Sequence, residues 1–483
     1  MRSVALASIF LGTPAMAGSI QAPGVIAGPD SGPTTPNPAA AYYNPGALGA
    51  AKGLQTMFDV QVAAVRVDVD AWRNDGIDPN TGKPYKTATA RVVAPVMFLG
   101  ASYEILEDQL TAGLALTMPF LGGGDYTSGE KEGAPPYTSH QRYFGVNTKV
   151  ITGQVIPALS YTPVKDWGLH VGVGMTYTVD IFQITKNSFF KMGSPDAPYS
   201  SDPILEGETM GSHLGWTAGV FWDKYKKAQL GVSYTSGGLF NGEGEGSVTF
   251  PTALTNDSDP LEVDALLAIE MKLPEIWRMS VNSQINDKLN IGATLDHYRW
   301  NACCGDEGGD IKVTLTDTDG DPIAEEGKDL GGGKVGKYPI QTSVSEDIYS
   351  PRRLWDASNF TVFAGYQANY NVWVGGRVAY NQNAVPDYAV SPTNLDFENA
   401  GFQLGSRYTF GEEGDSSRWT VGLSYSKFFL FERKITNSAW NQWPNTGGPD
   451  QRFSPKEAPK NVSANGHYQA AVDIVGLRVE FAH

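Results

Sequence analysis

Only two cysteines occur in the 483 residues, and they are neighbours, Cys303-Cys304 in "RWNACCGDEGGD". One adjacent pair builds neither a disulfide framework nor a metal set; its oxidised options are a strained vicinal bridge or a bond between molecules. Histidine is scarce too: there are six, none in a recognisable nucleophile motif, so a hydrolase built on a Ser-His-Asp set is not expected. Lys and Arg number 36 against 52 Asp and Glu, a net charge of -16. That balance argues against nucleic acid, which is held largely by cations on phosphate. Solvated acidic loops are the plain reading of the excess. Divalent cations bridging them to a lipid surface, such as lipopolysaccharide, are the sharper one.

Long apolar runs are missing as well. The run "SVALASIFLG" followed by "AMA" at Ala15 to Ala17 has the form of a secretory signal peptide, residues 1–17. Nothing after it approaches the roughly 20 apolar residues of a spanning helix. No linker divides the chain, so one large domain is expected. Charged residues reach only 18%, aromatics 11%, glycines number 55, and the mean hydropathy is -0.26. This is too polar for a helical membrane protein and short of charge for a soluble one. A transmembrane β-barrel fits, because alternate residues face lipid and a polar lumen.

The alternation is present. "TMFDVQVAAVRVDVD" (56–70), "KLNIGATLDHYRW" (288–300), "NVWVGGRVAYNQN" (371–383) and "RWTVGLSYSKFFLFE" (418–432) each switch between apolar and polar or small residues. About fourteen such segments follow one another from residue 55 to the end, an even number that returns both termini to one side. Short turns at 104–110, 163–167, 223–227 and 286–289 alternate with long polar inserts at 122–143, 187–210, 301–357 and 434–465. Short periplasmic turns and long extracellular loops produce that asymmetry. Trp167, Trp222, Trp300, Trp373 and Trp419 fall near segment ends, where a headgroup-level aromatic belt is expected. A soluble sandwich would need shorter strands, of about five or six residues.

Before the first segment lies "PTTPNPAAAYYNPGALGAAKG" (33–53), too broken by Pro and Gly for a strand or helix. With few charges it is poorly suited to free solution, so residues 18–54 are expected to pack into the lumen as a plug, with residues 55–483 as the barrel.

Four stretches carry a resemblance. "YYNPGAL" (42–48) resembles the Asn-Pro-Ala box of the FadL family of outer-membrane hydrophobic-compound transporters. "GWTAGVFWDKYKKAQLGVSYTSG" (215–237), "MKLPEIWRMSVNSQINDKLNIGATLDHYRW" (271–300) and "VWVGGRVAYNQNAVPDYAVSPTNLDFENAGFQLGSRYTFG" (372–411) resemble later hairpins of that family, in the right order. The resemblance implies an all-β fold, a fourteen-stranded antiparallel barrel with an N-terminal hatch. It also implies passive capture of fatty acids or hydrocarbons, then lateral release into the membrane through an opening beside a kink in the third strand. The resemblance implies no cofactor and no metal, and a barrel that can act as a monomer.

On that resemblance "LALTMPFLGGGDY" (114–126) is the kinked strand, with Pro119, Phe120 and Gly122 at the opening; Pro119 lacks a ladder donor, so pairing there should be weak. Asn44, Pro45 and Gly46 would line the same opening, or only brace the plug. The position of the family's basic pair for a ligand carboxylate falls near Ile181, with Lys186 beyond it, and near Trp355, after Arg352 and Arg353. Lys186, Arg352 and Arg353 are the candidates, with ordinary loop charges as the alternative.

"DTDGD" (317–321) with Glu325 and Glu326 could hold calcium, although Gly320 comes too early for an EF-hand. Phe481, third from the end, would be the terminal aromatic that barrel assembly uses. A diffusion porin and a surface-structural barrel are the competing functional classes.

Overall fold

The computed structural model describes residues 28–71, 77–78, 83–84, 88–126, 146–187, 204–225, 227–250, 259–304, 311–316, 348–350, 353–392, 394–438 and 464–483. Fourteen strands form the wall. They are β1 Leu54–Ala71, β2 Ala88–Leu106, β3 Leu110–Asp125, β4 Asn147–Tyr161, β5 Leu169–Asn187, β6 Ile204–Tyr225 and β7 Ala228–Thr235 continued by Gly238–Phe250. Then come β8 Leu261–Leu273 continued by Glu275–Gln284, β9 Leu289–Arg299, β10 Ala357–Gln367, β11 Val372–Asn381, β12 Asn399–Phe410, β13 Arg418–Leu430 and β14 Gly466–Ala482. Each pairs antiparallel with the next. β1 closes the ring by pairing with β14 from Gln55↔Ala482 to Ala71↔Gly466.

The polarity runs inside out. Along β1, Phe58 and Val62 face outward and are exposed, while Asp59 and Gln61 face inward and are buried at 1% and 0%. On β5 the outward Val173 is 62% exposed and the inward Thr176, Thr178 and Asp180 are at most 2% exposed. A continuous outer band of this kind is a liability in water and a requirement in lipid. Tyr103, Tyr161, Trp167, Tyr225, Tyr408 and Trp419 girdle it at the end where the short turns lie.

Three features depart from the sequence reading. β3 runs on to Asp125 and β6 begins at Ile204, so the inserts placed at 122–143 and 187–210 are shorter. The outer halves of β6 to β8 form a ladder carrying Glu206, Glu208, Glu243, Glu245, Glu262 and Asp264 outward over a buried face that includes Leu205, Val248 and Leu267. Part of the acidic excess therefore stands on strands, not loops. Trp300 and Trp373 are not in the belt either. Their parity turns them inward, where Trp300 joins the outer apolar cluster and Trp373 lies 3.9 Å beneath the Arg407 guanidinium. Cys303 is buried, and its thiol donates to the Trp300 carbonyl at 3.3 Å.

The connection between β11 and β12 folds inward. Ala384, Val385, Ala389, Val390, Leu395 and Phe397 have no exposed surface and pack with Tyr298, Trp300 and Tyr468 in the outer lumen. Arg433 holds this cap by donating to the Asp396 carbonyl (2.7 Å) and the Asp387 carboxylate (2.5 Å). Tyr126, just beyond β3, donates to the Pro392 carbonyl at 3.3 Å.

Candidate functional site

Residues 28–53 lie against the inward face of the wall, and their fold follows from the Asn-Pro pair. A short helix, α1 Ala40–Tyr43, stops at Asn44, whose extended backbone (φ -164°) and side-chain oxygen cap the 3-10 turn Pro45–Ala50 by accepting from the Gly46 N–H at 3.0 Å. Asn is a favoured cap and Pro a favoured first residue. The Asn44 amide then donates to the Pro33 carbonyl (2.8 Å) and to Val220 of β6 (3.0 Å). Ser160 of β4 donates to the Gly46 carbonyl (2.9 Å), and Ser233 of β7 to the Tyr43 carbonyl (2.6 Å). All of Asn44's hydrogen-bonding groups are thereby used, as full burial demands.

Glycines make this seat. A Cβ on Gly172 of β5 would stand 2.3 Å from the Pro45 carbonyl carbon, and one on Gly219 of β6 would stand 1.9 Å from Asn44 Oδ1. Gly46 itself has no room for a methyl, which would meet the Gly219 oxygen at 2.8 Å. The Gly in place of the family's Ala is therefore a requirement of close approach here.

Buried cations hold the other side. Arg278 of β8 donates to the Tyr42 hydroxyl (2.8 Å) and lies 4.7 Å over its ring. Arg377 of β11 donates to Gln403 (2.8 Å) and to the Gly28 carbonyl. Asp30 pairs with Arg407 at 2.8 Å and lies 3.9 Å from Arg478. Burial pushes the Asp30 carboxyl up, but these guanidiniums outweigh it and hold the group below the usual carboxylate range. Burial likewise pushes the Tyr42 hydroxyl up to about 12, so it stays protonated at physiological pH. The sequence reading missed these arginines, although parity marks them: Arg278 sits between the exposed Trp277 and Met279.

At the turns the plug ends in a charged clasp. Lys52 pairs with Glu104 (2.9 Å) and with Asp108 in the β2–β3 turn (2.5 Å), and Lys165 in the β4–β5 turn shares Asp108. Hydrogen bonds from Lys165 and then Lys52 hold the Asp108 carboxyl at about 2, below its ordinary 3.8. A carboxylate depressed in the folded state contributes stability above its unfolded value and loses it as pH falls through its folded one. The clasp is therefore expected to stay closed from pH 7 to about 4 and to open only towards pH 2. Titrating the Asp108 carboxyl carbon by NMR checks this; a midpoint at the ordinary value would mean that the clasp does not form in solution.

The wall itself parts on one line. β2 and β3 pair from Leu106↔Leu110 as far as Phe98↔Thr117, and among the described residues the outer half of β2, Ala88–Met97, continues to pair with β1 only. On its other side β3 pairs Thr117↔Gln154 and then Phe120↔Thr152, so Met118 and Pro119 together oppose Gly153. That is a β-bulge, which bends its strand, at the residue that cannot donate to a ladder. Val96, Phe98, Ala115 and Met118, around the parting point, share one apolar cluster with α1 and Leu48 of the plug.

Pro119 is in the bulge; Phe120 and Gly122 continue β3 opposite Thr152 and Val150, the Phe120 side chain lying outside the described ones. Asn44, Pro45 and Gly46 are seated on β4 to β6, with α1 against β3 and β4. Lys186 pairs by its backbone with Leu205, and Arg353 is half-buried just before β10. Arg352 and the 317–326 loop lie outside the described residues.

A closed fourteen-strand barrel with an apolar exterior, a polar lumen and a segment seated inside it defines an outer-membrane channel protein. The chain belongs to the outer membrane protein transport protein family (OMPP1/FadL/TodX), whose profile matches residues 19–437. Its place is the bacterial outer membrane, and its class is that of transporters of hydrophobic compounds. Among solved structures it is similar to a Pseudomonas aeruginosa FadL homologue, with 16% identity and a TM-score of 0.70 over 97% of this chain and 100% of that one. It is also similar to the Pseudomonas putida toluene transporter TodX (14%, 0.61, 98% of each chain) and the Ralstonia pickettii toluene transporter TbuX (13%, 0.54, 93% of this chain and 97% of that one). At these identities the likeness shows the fold. No curated protein sequence matches the chain significantly.

Proposed function

We propose that this barrel takes up hydrophobic molecules, hydrocarbons or fatty-acid-like compounds, and releases them sideways into the membrane between β2 and β3. The observation that carries the reading is the parted ladder with the Pro119 bulge beside it. An apolar ligand gains nothing from the aqueous periplasm, while a gap in the wall offers it lipid. Residues 18–54 serve as the hatch that keeps the lumen shut below, with Asn44, Pro45 and Gly46 bracing it. Pro119, Phe120 and Gly122 border the exit.

The family's toluene transporters make an alkylbenzene a reasonable first ligand. Tyr42 and Gly28 already engage the lumen guanidiniums of Arg278 and Arg377, so a fatty acid would need Lys186, Arg352 or Arg353 for its carboxylate. The test is uptake of a radiolabelled long-chain fatty acid and a radiolabelled alkylbenzene by cells without their own transporter of this type. Uptake of either, dependent on the intact barrel, supports the reading and identifies the ligand class. Uptake of neither by a folded, membrane-inserted barrel refutes it.

A further inference from the structure

A polar patch lines the lumen where the third strand bulges. Thr152, opposite Phe120 across the ladder, donates its hydroxyl to Asp180 of β5. The other Asp180 oxygen stands 3.5 Å from Nδ1 of His213 on β6, within ion-pairing distance but without a hydrogen bond. His213 lies over Gly238 of β7, where a Cβ would come within 2.2 Å of its ring. All three side chains face inward, and Asp180 is 1% exposed. Thr117 of β3 and Thr209 of β6 face the same way, and their hydroxyls are likewise buried with no hydrogen-bond partner among the described residues.

Buried polar atoms are nearly always satisfied, and leaving one unmade costs more than an ordinary hydrogen bond returns. Here Asp180 Oδ2 on β5 and His213 Nδ1 on the neighbouring β6 have no hydrogen-bond partner among the described residues, and neither have Thr117 Oγ1 on β3 and Thr209 Oγ1 on β6. Beyond them, on the outer ends of β5 to β8, the buried face is apolar and includes Phe182, Leu205, Phe240 and Leu267. A ligand lying on that apolar face with its head towards the bulge meets a carboxylate acceptor and an imidazole. A second carboxylate placed beside Asp180 would be repelled, like charge against like at low dielectric. A neutral hydroxyl answers the patch: its O–H donates to Asp180 Oδ2, and its oxygen accepts from His213 Nδ1.

We propose that Thr152, Asp180 and His213 form a head-group site that favours apolar ligands ending in a neutral hydrogen-bonding group, alcohols or phenols, over both carboxylates and bare hydrocarbons. The inference rests on the uptake reading above and narrows its substrate class.

The experiment compares dodecan-1-ol, dodecane and dodecanoate for binding to the purified barrel in nanodiscs, by displacement of a fluorescent fatty alcohol. Comparing each protein's alcohol-to-alkane ratio cancels partition into the bilayer. Wild type should show a ratio about tenfold above that of Asp180→Leu, the difference that about one net hydrogen bond makes. Asp180→Asn, which keeps an acceptor and loses the charge, should hold most of the alcohol preference and gain affinity for dodecanoate. An unchanged ratio in Asp180→Leu overturns the proposal, and so does an Asp180→Asn barrel that still rejects dodecanoate. Should Asp180→Leu fail to insert, Asp180→Asn decides alone. Dodecane bound without alcohol preference sinks this site and leaves the uptake reading standing, whereas binding of none of the three sinks both.

Discussion

Replacing Gly172 by valine is expected to unseat the plug and turn a closed barrel into an open pore. The Cβ would lie 2.3 Å from the Pro45 carbonyl carbon and 2.5 Å from the Gly46 nitrogen, so it meets backbone and not the tip of a mobile side chain. Overpacking costs about 1–3 kcal/mol where side chains can still adjust, and a backbone conflict belongs at the upper end. At ~1.4 kcal/mol per factor of ten, that is up to about a hundredfold against the seated plug. The wall should survive, because β5 pairs with β4 and β6 through backbone groups that the substitution leaves alone. Conductance in planar bilayers, and uptake of a small hydrophilic solute by cells, should both rise sharply. Gly153→Val is the control: among the described residues the nearest atom to its Cβ is 3.9 Å away, and it should leave the plug seated and the pore closed. A Gly172→Val barrel that inserts normally and stays closed would show that this seat does not shut the lumen.

That seat also marks where sequence reasoning stops. All fourteen strands were legible because each obeys one local rule, a period of two with lipid on one side. The rule weakens where "NGEGEGSVTF" (241–250) alternates Glu with Gly, since an inward glycine adds no hydropathy to the pattern and the stretch reads as loop. Yet Gly244 and Gly246 are inward there because a Cβ would come within 1.9 and 2.3 Å of the Glu208 and Glu206 carbonyls. The inward cap at 382–398 left a faint signal in "NAVPDYAVSPTNLDF", which is more apolar than a solvated loop needs, but its prolines and Asp read as turn. Asn44 was found through its motif, whereas its partners Pro33, Val220 and Gly219 were not. A contact across 176 residues leaves no trace in local spacing.

Deleting Pro119 should abolish uptake while leaving a folded barrel. With one residue removed, Met118 alone would oppose Gly153, and the pairings Thr117↔Gln154 and Phe120↔Thr152 would keep their register. Inward and outward faces on both sides of the deletion are therefore unchanged, which is rare for a one-residue change in a strand, where a slip normally exchanges the two faces. What changes is the bend. A bulge inserts an unpaired residue and turns the strand aside, and proline at that place removes a donor as well. Without it, β3 can run straight beside the outer half of β2, which among the described residues pairs only with β1, so that Met97 and Val96 can continue the ladder beyond Phe98↔Thr117 as far as Pro95, which has no N–H to give. Zipping that seam closes the side route and adds backbone hydrogen bonds, each worth about 0.5–1.5 kcal/mol net, so the deletion should raise thermal stability as it removes transport. Pro119→Ala restores the donor but keeps the extra residue, so transport should be reduced, not lost. Uptake of a radiolabelled alkylbenzene, measured beside the heat-dependent gel shift of the folded barrel, separates these outcomes. If the deletion folds and transports at the wild-type rate, the ligand does not leave between β2 and β3.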